Sequence, residues 1–151
     1  MKVYRISKCK YIDDLSGTGS SRYPGRWHNK GTYILYTAAS PSLAMLESVV
    51  HITTLPKIEL CMTCLEIPDN SITELPGTQL PKNWFTNPPS DHLKYIGDQF
   101  IQAGDYLALQ IPSAVMPEEF NILLNPAHAL FKKIKVIYTR QLRVDERLFR
   151  S

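Results

Sequence analysis

The chain has 151 residues, of which 44% are hydrophobic and 21% are charged, and its formal net charge is +3. This balance is typical of one folded domain and excludes a disordered chain, so we predict a single domain over residues 1–151. No apolar run approaches the roughly 20 residues that a membrane helix needs, and the first residues lack the hydrophobic stretch of a signal peptide. We therefore expect a cytoplasmic protein with no membrane partner.

The first half of the chain alternates short strands with one helix. A strand is predicted over Val3 to Ile6, and a polar loop that is long for so small a domain follows from Asp13 to Gly31. A second strand covers Thr32 to Ala38. Ser40 then supplies an N-cap, with a proline at the first helical position, so we predict a helix over Pro41 to His51.

Glu47 lies on the apolar side of this helix. Leu43, Leu46 and Val50 mark the apolar stripe, and the spacing of Glu47 places it on the same stripe. Burial of a carboxylate costs several kcal/mol unless it is paired or hydrogen-bonded, so we expect a compensating partner. Two interpretations stay open here, a structural ion pair or a helix-edge glutamate on one side and a catalytic carboxylate on the other.

The next predicted strand, Ile58 to Ile67, contains two of the three cysteines. Cys9, Cys61 and Cys64 show no disulfide-framework spacing, so we expect three free thiols in a reducing compartment. The Cys61–Cys64 spacing suggests zinc, but positions i and i+3 of a strand face opposite sides. The histidines also lack zinc spacing, so we predict no metal site.

The second half of the chain contains one more helix and several strands. An irregular stretch from Asp69 to Pro89 carries Trp84 and Phe85 as expected anchors, and a helix capped by Ser90 or Asp91 should end at Gly104. Three further strands are predicted, over Tyr106 to Ile111, Asn121 to Leu124 and Phe131 to Tyr138. Strands outnumber helices, which favours an α+β fold with a mixed, mostly antiparallel sheet flanked by short helices.

Basic residues concentrate in the tail, Lys132 to Arg150. The alternation of Lys133 and Lys135 with Ile134 and Val136 indicates a strand with a solvated face. Direct nucleic-acid binding is the weaker interpretation, because stacking aromatic residues at regular intervals do not accompany the charges.

Three more residues are candidates for ligand contact. Arg26 lies between glycines in the long loop, where a guanidinium suits phosphate oxygens, although most loop arginines are simply solvated. Tyr36 lies near the end of its predicted strand and can stack on an aromatic ring or merely pack. Ser113 follows a proline at a strand end and can bind a ligand or form an ordinary turn. No nucleophile-elbow glycines, P-loop or dinucleotide-binding glycine motif is present.

Taken in order along the chain, these segments resemble the RES domain family. The matching segments are Tyr4-Arg5, Arg22, Gly25-Arg26-Trp27, Leu35 to Ala38, Ala44 to Glu47, Ile111 to Val115 and Asn121 to Pro126. The resemblance implies a fold like that of mono-ADP-ribosyltransferases and a toxin that depletes NAD. It also implies a cognate Xre-like antitoxin that occludes the active site. NAD is then a substrate, and no true cofactor is expected.

The resemblance also assigns roles to individual residues. Arg26, Glu47 and Ser113 become the catalytic residues, and Arg26 holds the pyrophosphate, with Arg22 as a second candidate. Tyr36 stacks on nicotinamide, and Ser113 hydrogen-bonds the nicotinamide end. Water, phosphate or a protein can accept the ADP-ribose. The chain departs from the family at Pro24, where a glycine is usual, and at His28, which separates Trp27 from Asn29.

Overall fold

A computed structural model describes residues 1–52 and 57–149 of the chain. The strands are β1 (Lys2–Lys8), β2 (Leu35–Ala38), β3 (Leu60–Glu66), β4 (Ile72–Glu74), β5 (Ala108–Pro112), β6 (Phe120–Leu124) and β7 (Lys135–Gln141). The helices are α1 (Thr18–Arg22), α2 (Pro41–Val49) and α3 (Asp91–Ala103).

All seven strands form one sheet in the order β4-β5-β6-β2-β1-β3-β7. Strand β4 pairs in parallel with β5, and the other neighbouring strands pair in antiparallel fashion. The predicted α+β class with a mixed, mostly antiparallel sheet is confirmed.

The two longer helices begin and end close to the predicted positions. The Ser40 hydroxyl accepts a hydrogen bond from the amide of Leu43 at 3.1 Å, which caps α2. Helix α3 ends at Gly104, whose φ of 67° is the left-handed conformation that favours glycine. Helix α2 stops at Val49, however, and Val50 is 52% exposed, so the predicted inward position of Val50 is wrong.

The centre of the sheet is covered on both faces. Ile122 and Leu124 of β6 pack into one buried cluster with Val3 and Leu65, while Leu123 faces the other side. That second cluster contains Leu93 of α3 and the loop residue Trp27, together with side chains of β5. Two-sided burial explains why β5 and β6 are almost continuously apolar.

Three stretches differ from the sequence-based expectations. The stretch predicted to be irregular contains β4, and the long loop before β2 contains the short helix α1. The predicted strand from Phe131 to Tyr138 begins instead as a 3-10 turn, Ala129–Lys133, before β7. All seven residues of β7 are exposed, including Val136 at 57%, so both faces of the strand are solvated and not only the one that the alternation predicted. Arg150, the end of the basic tail, lies outside the described residues.

The prediction of three free thiols is wrong, because Cys9 and Cys61 form a disulfide. The antiparallel pairing of β1 with β3 sets Ser7 opposite Cys61, which brings the Cα atoms of the two cysteines to 4.8 Å. A separation of 52 residues conceals this proximity in the sequence. Cys64 is free, as predicted, and it is buried.

Within the described residues, no group of His, Cys, Asp and Glu side chains could hold a metal ion. The helices of the same residues are all too short or too polar to cross a membrane.

Candidate functional site

A cleft of 790 Å³ opens between α2, the loop before β2 and the segment that precedes α3. Its volume lies in the range of small-molecule sites. Arg26, Tyr36 and Glu47, which the sequence singled out, all line the cleft. Its lining also includes the cationic side chains of Arg5 and Lys94, whereas Glu47 is the only acidic residue that lines it within the part of the chain that the structure describes. The cleft therefore suits an anionic ligand that carries a positive centre near one end.

The carboxylate of Glu47 is fixed by two neutral donors. Its Oε1 atom accepts hydrogen bonds from Ser113 Oγ at 2.6 Å and from Asn121 Nδ2 at 2.7 Å. Ser113 directly follows β5 and Asn121 lies in β6, so the sheet positions a side chain of α2. Among the described residues, no hydrogen bond or salt bridge engages the other oxygen, Oε2. Hydrogen bonds, and not an ion pair, therefore compensate the burial of the Glu47 carboxylate. Its Oε2 atom remains available to a ligand.

Ser113 lies behind Glu47 rather than in the cleft. Its side chain is 0% exposed, and its hydroxyl accepts hydrogen bonds from the amides of Val115 at 3.1 Å and Met116 at 3.0 Å. With its proton donated to Glu47, the hydroxyl has used one donor and two acceptor positions. No capacity is left for the hydrogen bond to nicotinamide that the resemblance implies. In this geometry Ser113 orients the carboxylate of Glu47.

Tyr36 is held by the histidine at which the sequence departs from the family. His28 Nε2 lies 2.7 Å from the carbonyl oxygen of Ser20 and 2.9 Å from that of Tyr23, so this nitrogen carries the proton. In the neutral ring His28 Nδ1 then accepts from the Tyr36 hydroxyl at 2.7 Å. Trp27 donates its amide to the same hydroxyl at 3.2 Å. Burial raises the pKa of Tyr36 well above its ordinary value, so the phenol stays neutral.

Two glycines allow the arginine loop, residues 23–31, to pack this closely. A Cβ at Gly25 would lie 2.6 Å from His28 Cε1 and 2.9 Å from the Tyr36 hydroxyl. A Cβ at Gly97 in α3 would lie 1.6 Å from the carbonyl oxygen of Trp27. Both positions therefore require glycine because of close approach, and α3 lies directly against the backbone of the loop.

Asp98 joins the arginine loop to α3. Its carboxylate accepts hydrogen bonds from the Asn29 amide at 3.0 Å, from Asn29 Nδ2 at 2.7 Å and from Thr32 Oγ1 at 2.7 Å. Burial acts to raise the pKa of Asp98, but the hydrogen bonds from Asn29 and Thr32 outweigh it, so the pKa lies below its ordinary value. The ionised carboxylate holds the loop against α3 at Asn29.

Arg26 extends from this loop across to the segment before α3. Its Nη1 atom donates to the carbonyl oxygens of Trp84 at 3.1 Å and Thr86 at 2.8 Å. Guanidinium has five N–H donors, and within the described residues the Nε and Nη2 atoms have no protein acceptor. Arg26 can therefore hold the residues around Phe85 and still offer donors to an anion.

Arg22, the second candidate for a phosphate contact, lies elsewhere. It is exposed and lines an adjacent cavity of 340 Å³, which shares Arg5 and Tyr36 with the main cleft. Arg5 donates from Nη1 to the carbonyl oxygen of Ile12 at 3.0 Å, and burial lowers its pKa while the charge of Asp14 opposes this. The structure thus brings Arg26, Tyr36 and Glu47 together and leaves Arg22 outside.

Three residues of the site had no assigned role in the sequence analysis. Arg5 and Asn121 belong to the segments that carry the family resemblance, so that pattern could have identified them. Lys94 lies on α3 among other polar residues, and no sequence pattern distinguishes it. Phe85, expected as an anchor, is 55% exposed, whereas Trp84 packs against the core as expected.

Comparisons with known proteins identify the family that the chain matches. The RES domain model matches residues 2–145 of the chain. A protein named Toxin Res from Photorhabdus laumondii is 35% identical over 100% of this chain and 99% of its own length. A protein from a Sphingobium species named Prs ADP-ribosylating toxin is 38% identical, covering 92% of this chain and 89% of that protein.

A solved structure provides a comparison of folds. A chain of the Mycobacterium tuberculosis MbcT–MbcA toxin–antitoxin complex superposes with a TM-score of 0.75, covering 93% of this chain and 83% of that one. Sequence identity between the two is 16%, so the likeness concerns the fold alone.

Proposed function

Because the chain belongs to the RES domain family, we propose that it is the toxin of a bacterial toxin–antitoxin pair and cleaves the nicotinamide–ribose bond of NAD. The names of two similar proteins, Toxin Res and Prs ADP-ribosylating toxin, support both parts of the proposal. The observation that carries it is the placement of Glu47, a half-buried carboxylate in a cleft otherwise lined by cations and neutral groups.

The chemistry of NAD suits a site with one carboxylate. Glycoside hydrolysis generally uses two, because one must protonate the leaving oxygen. Nicotinamide needs no proton, because the electron pair of the breaking C–N bond neutralises its cationic ring. The ribose carbon becomes positively charged, and Glu47 stabilises that charge through its unengaged oxygen. Water then bonds to the ribose carbon and releases a proton to solvent, which leaves nicotinamide and ADP-ribose.

The remaining residues of the cleft suit the remaining parts of NAD. The free donors of Arg26 suit the pyrophosphate, since a guanidinium makes strong charge-assisted hydrogen bonds to phosphate. Tyr36 presents a neutral aromatic ring for the nicotinamide end. Ser113 and Asn121 orient Glu47 through its Oε1 atom, and of these two residues Asn121 also lines the cleft.

The acceptor of the ADP-ribose is a separate question. With phosphate in place of water, the product is ADP-ribose phosphorylated at the reacting carbon. A protein side chain is the second candidate, and the name of the Sphingobium relative favours it. Both alternatives use the same donor site and differ only in what enters the cleft after nicotinamide leaves.

Incubation of the purified protein with NAD, with and without phosphate, followed by chromatography, tests the proposal. Release of nicotinamide together with ADP-ribose or its phosphate supports NAD degradation. Transfer of label from radiolabelled NAD to protein, in an extract of the host cell, would instead support ADP-ribosylation. If the wild-type protein releases no nicotinamide under any of these conditions, the proposed activity is wrong.

We further propose that an Xre-like antitoxin controls the site by covering the cleft. Arg5, Arg26 and Lys94 give the cleft a cationic lining that attracts a carboxylate from a side chain or a chain terminus. Antitoxin and NAD should then exclude each other, and the apparent Kd for NAD should rise with free antitoxin. The test is to titrate the Glu47→Gln protein with NAD at increasing concentrations of the candidate antitoxin, the product of the adjacent gene. Independent binding of both ligands would refute occlusion.

A further inference from the structure

We propose that Phe85 and Lys94 form the subsite for the adenosine monophosphate half of NAD. The inference rests on the proposed function. It adds a binding subsite that is distinct from the site of bond cleavage at Glu47. It also replaces Arg22 as the partner of Arg26 in binding the pyrophosphate.

Lys94 is a cation without an evident structural purpose. It lies in the first half of α3, is half-buried, and lines the cleft. Within the described residues no carboxylate lies within salt-bridge distance of its ammonium group. A lysine that loses part of its hydration without an acidic partner is electrostatically unfavourable unless an anion arrives. Together with Arg26 it supplies two positive charges for the two negative charges of a pyrophosphate.

Phe85 is an aromatic ring held at the cleft with much of its surface in water. It lines the cleft and is 55% exposed. Trp84 packs against the core and meets the Phe85 ring edge-on, with centroids 6.0 Å apart and planes at 86°. The carbonyl groups on both sides of Phe85, those of Trp84 and Thr86, accept hydrogen bonds from Arg26. The exposed ring is therefore fixed in place by the arginine that would bind phosphate.

The order of groups in NAD matches this arrangement. The pyrophosphate joins the two nucleosides, so the group beyond a phosphate held by Arg26 is either the nicotinamide riboside or the adenosine. The nicotinamide riboside belongs at Glu47, where the charge of the broken bond develops. We therefore assign the adenosine to Phe85, whose neighbouring carbonyl groups bind Arg26 and whose ring offers a planar apolar face. Stacking of a base on an aromatic side chain is sequence-tolerant and favourable.

AMP and nicotinamide mononucleotide are the two halves of NAD. Their binding therefore tests the two ends of the cleft separately. Their binding is measured by isothermal titration on a Glu47→Gln background, which avoids turnover. We expect Phe85→Ala to raise the Kd for AMP roughly tenfold, the effect of losing one stacked base. The Kd for nicotinamide mononucleotide should stay unchanged. Lys94→Gln should raise the Kd for NAD by a similar factor, while the midpoint of unfolding stays unchanged.

Tyr95→Ala is the matched control, because Tyr95 is an aromatic residue that is 58% exposed beside Lys94 yet lines a different cavity. An unchanged AMP affinity in Phe85→Ala, or an equal loss in Tyr95→Ala, overturns the inference while NAD cleavage by the wild-type protein still stands. If the wild-type protein neither binds nor cleaves NAD, the proposed function fails, and the subsite fails with it.

Discussion

The two sides of the cleft are fixed by different means. On one side lies the carboxylate cluster, which we define as Glu47, Ser113 and Asn121. Ser113 and Asn121, on or next to strands of the sheet, donate side-chain hydrogen bonds to Glu47 on helix α2. Arg26 lies opposite on a loop, and its surroundings depend on His28 and on close backbone packing at glycine. The proposed catalytic carboxylate is thus placed by regular secondary structure, and the proposed phosphate-binding arginine is placed by a loop. Substitutions on the two sides should therefore change different kinetic constants.

The largest effect is expected from Glu47→Gln. The change keeps the side-chain volume and an oxygen that can accept from Ser113 and Asn121, but it removes the negative charge. Loss of a preorganised electrostatic group lowers kcat by about 10²-fold or more. Initial rates of nicotinamide release measure this, with the exposed Glu66→Gln as the control. Near-normal turnover in a folded Glu47→Gln protein would remove Glu47 from the mechanism.

Arg26→Ala should act mainly on binding. It deletes a charge-assisted phosphate contact worth roughly 1.5 to 3 kcal/mol, which corresponds to a rise of about 10- to 150-fold in the Kd for NAD. Isothermal titration on the Glu47→Gln background measures it. Arg22→Ala is the matched control, because Arg22 is exposed and lies outside the main cleft. A larger loss of affinity in Arg22→Ala than in Arg26→Ala would reverse the assignment.

Gly97→Ala tests the support of the arginine loop rather than its charge. A Cβ there would collide with the backbone carbonyl of Trp27, so α3 and the loop must separate. Overpacking of this kind destabilises a protein by about 1 to 3 kcal/mol. Urea unfolding measures the change in the free energy of unfolding, and Gly19→Ala, where a Cβ meets nothing within 4 Å, is the control. Equal stabilities of the two variants would show that the close packing has no energetic importance.

Ser113→Ala should have the smallest effect on turnover. The variant keeps Glu47 charged and leaves it the hydrogen bond from Asn121, so we expect kcat to fall about tenfold, the value of roughly one hydrogen bond. KM for NAD should change little, because the hydroxyl does not reach the cleft. A rise in KM with an unchanged kcat would instead support direct contact between Ser113 and the substrate.

Local sequence patterns predicted much of this fold. The serine before Pro41 and the glycine at position 104 located α2 and α3 to within a few residues, because helix ends depend on local hydrogen bonding. Strand β4 escaped prediction because three residues among prolines carry no usable periodicity, and its strand conformation comes from parallel pairing with β5. The Cys9–Cys61 disulfide was not predicted either, because the proximity of the two cysteines depends on the pairing of β1 with β3.

The site was only partly predictable. The helical position of Glu47 indicated an inward carboxylate, and that inference required only periodicity. Its partners could not be derived from it, because Ser113 and Asn121 lie on other elements and their contacts with Glu47 depend on sheet order. The same limit applies to Lys94, which becomes a cleft residue only through the packing of α3 against the arginine loop.

The partners of Glu47 also determine when the site can exist during synthesis. They lie 66 and 74 residues further along the chain, in the part that leaves the ribosome after most of the protein has emerged. Until β6 is extruded and pairs with β2, the carboxylate has no fixed orientation. A nascent chain that ends before Asn121 therefore lacks one of the two hydrogen bonds that hold the Glu47 carboxylate.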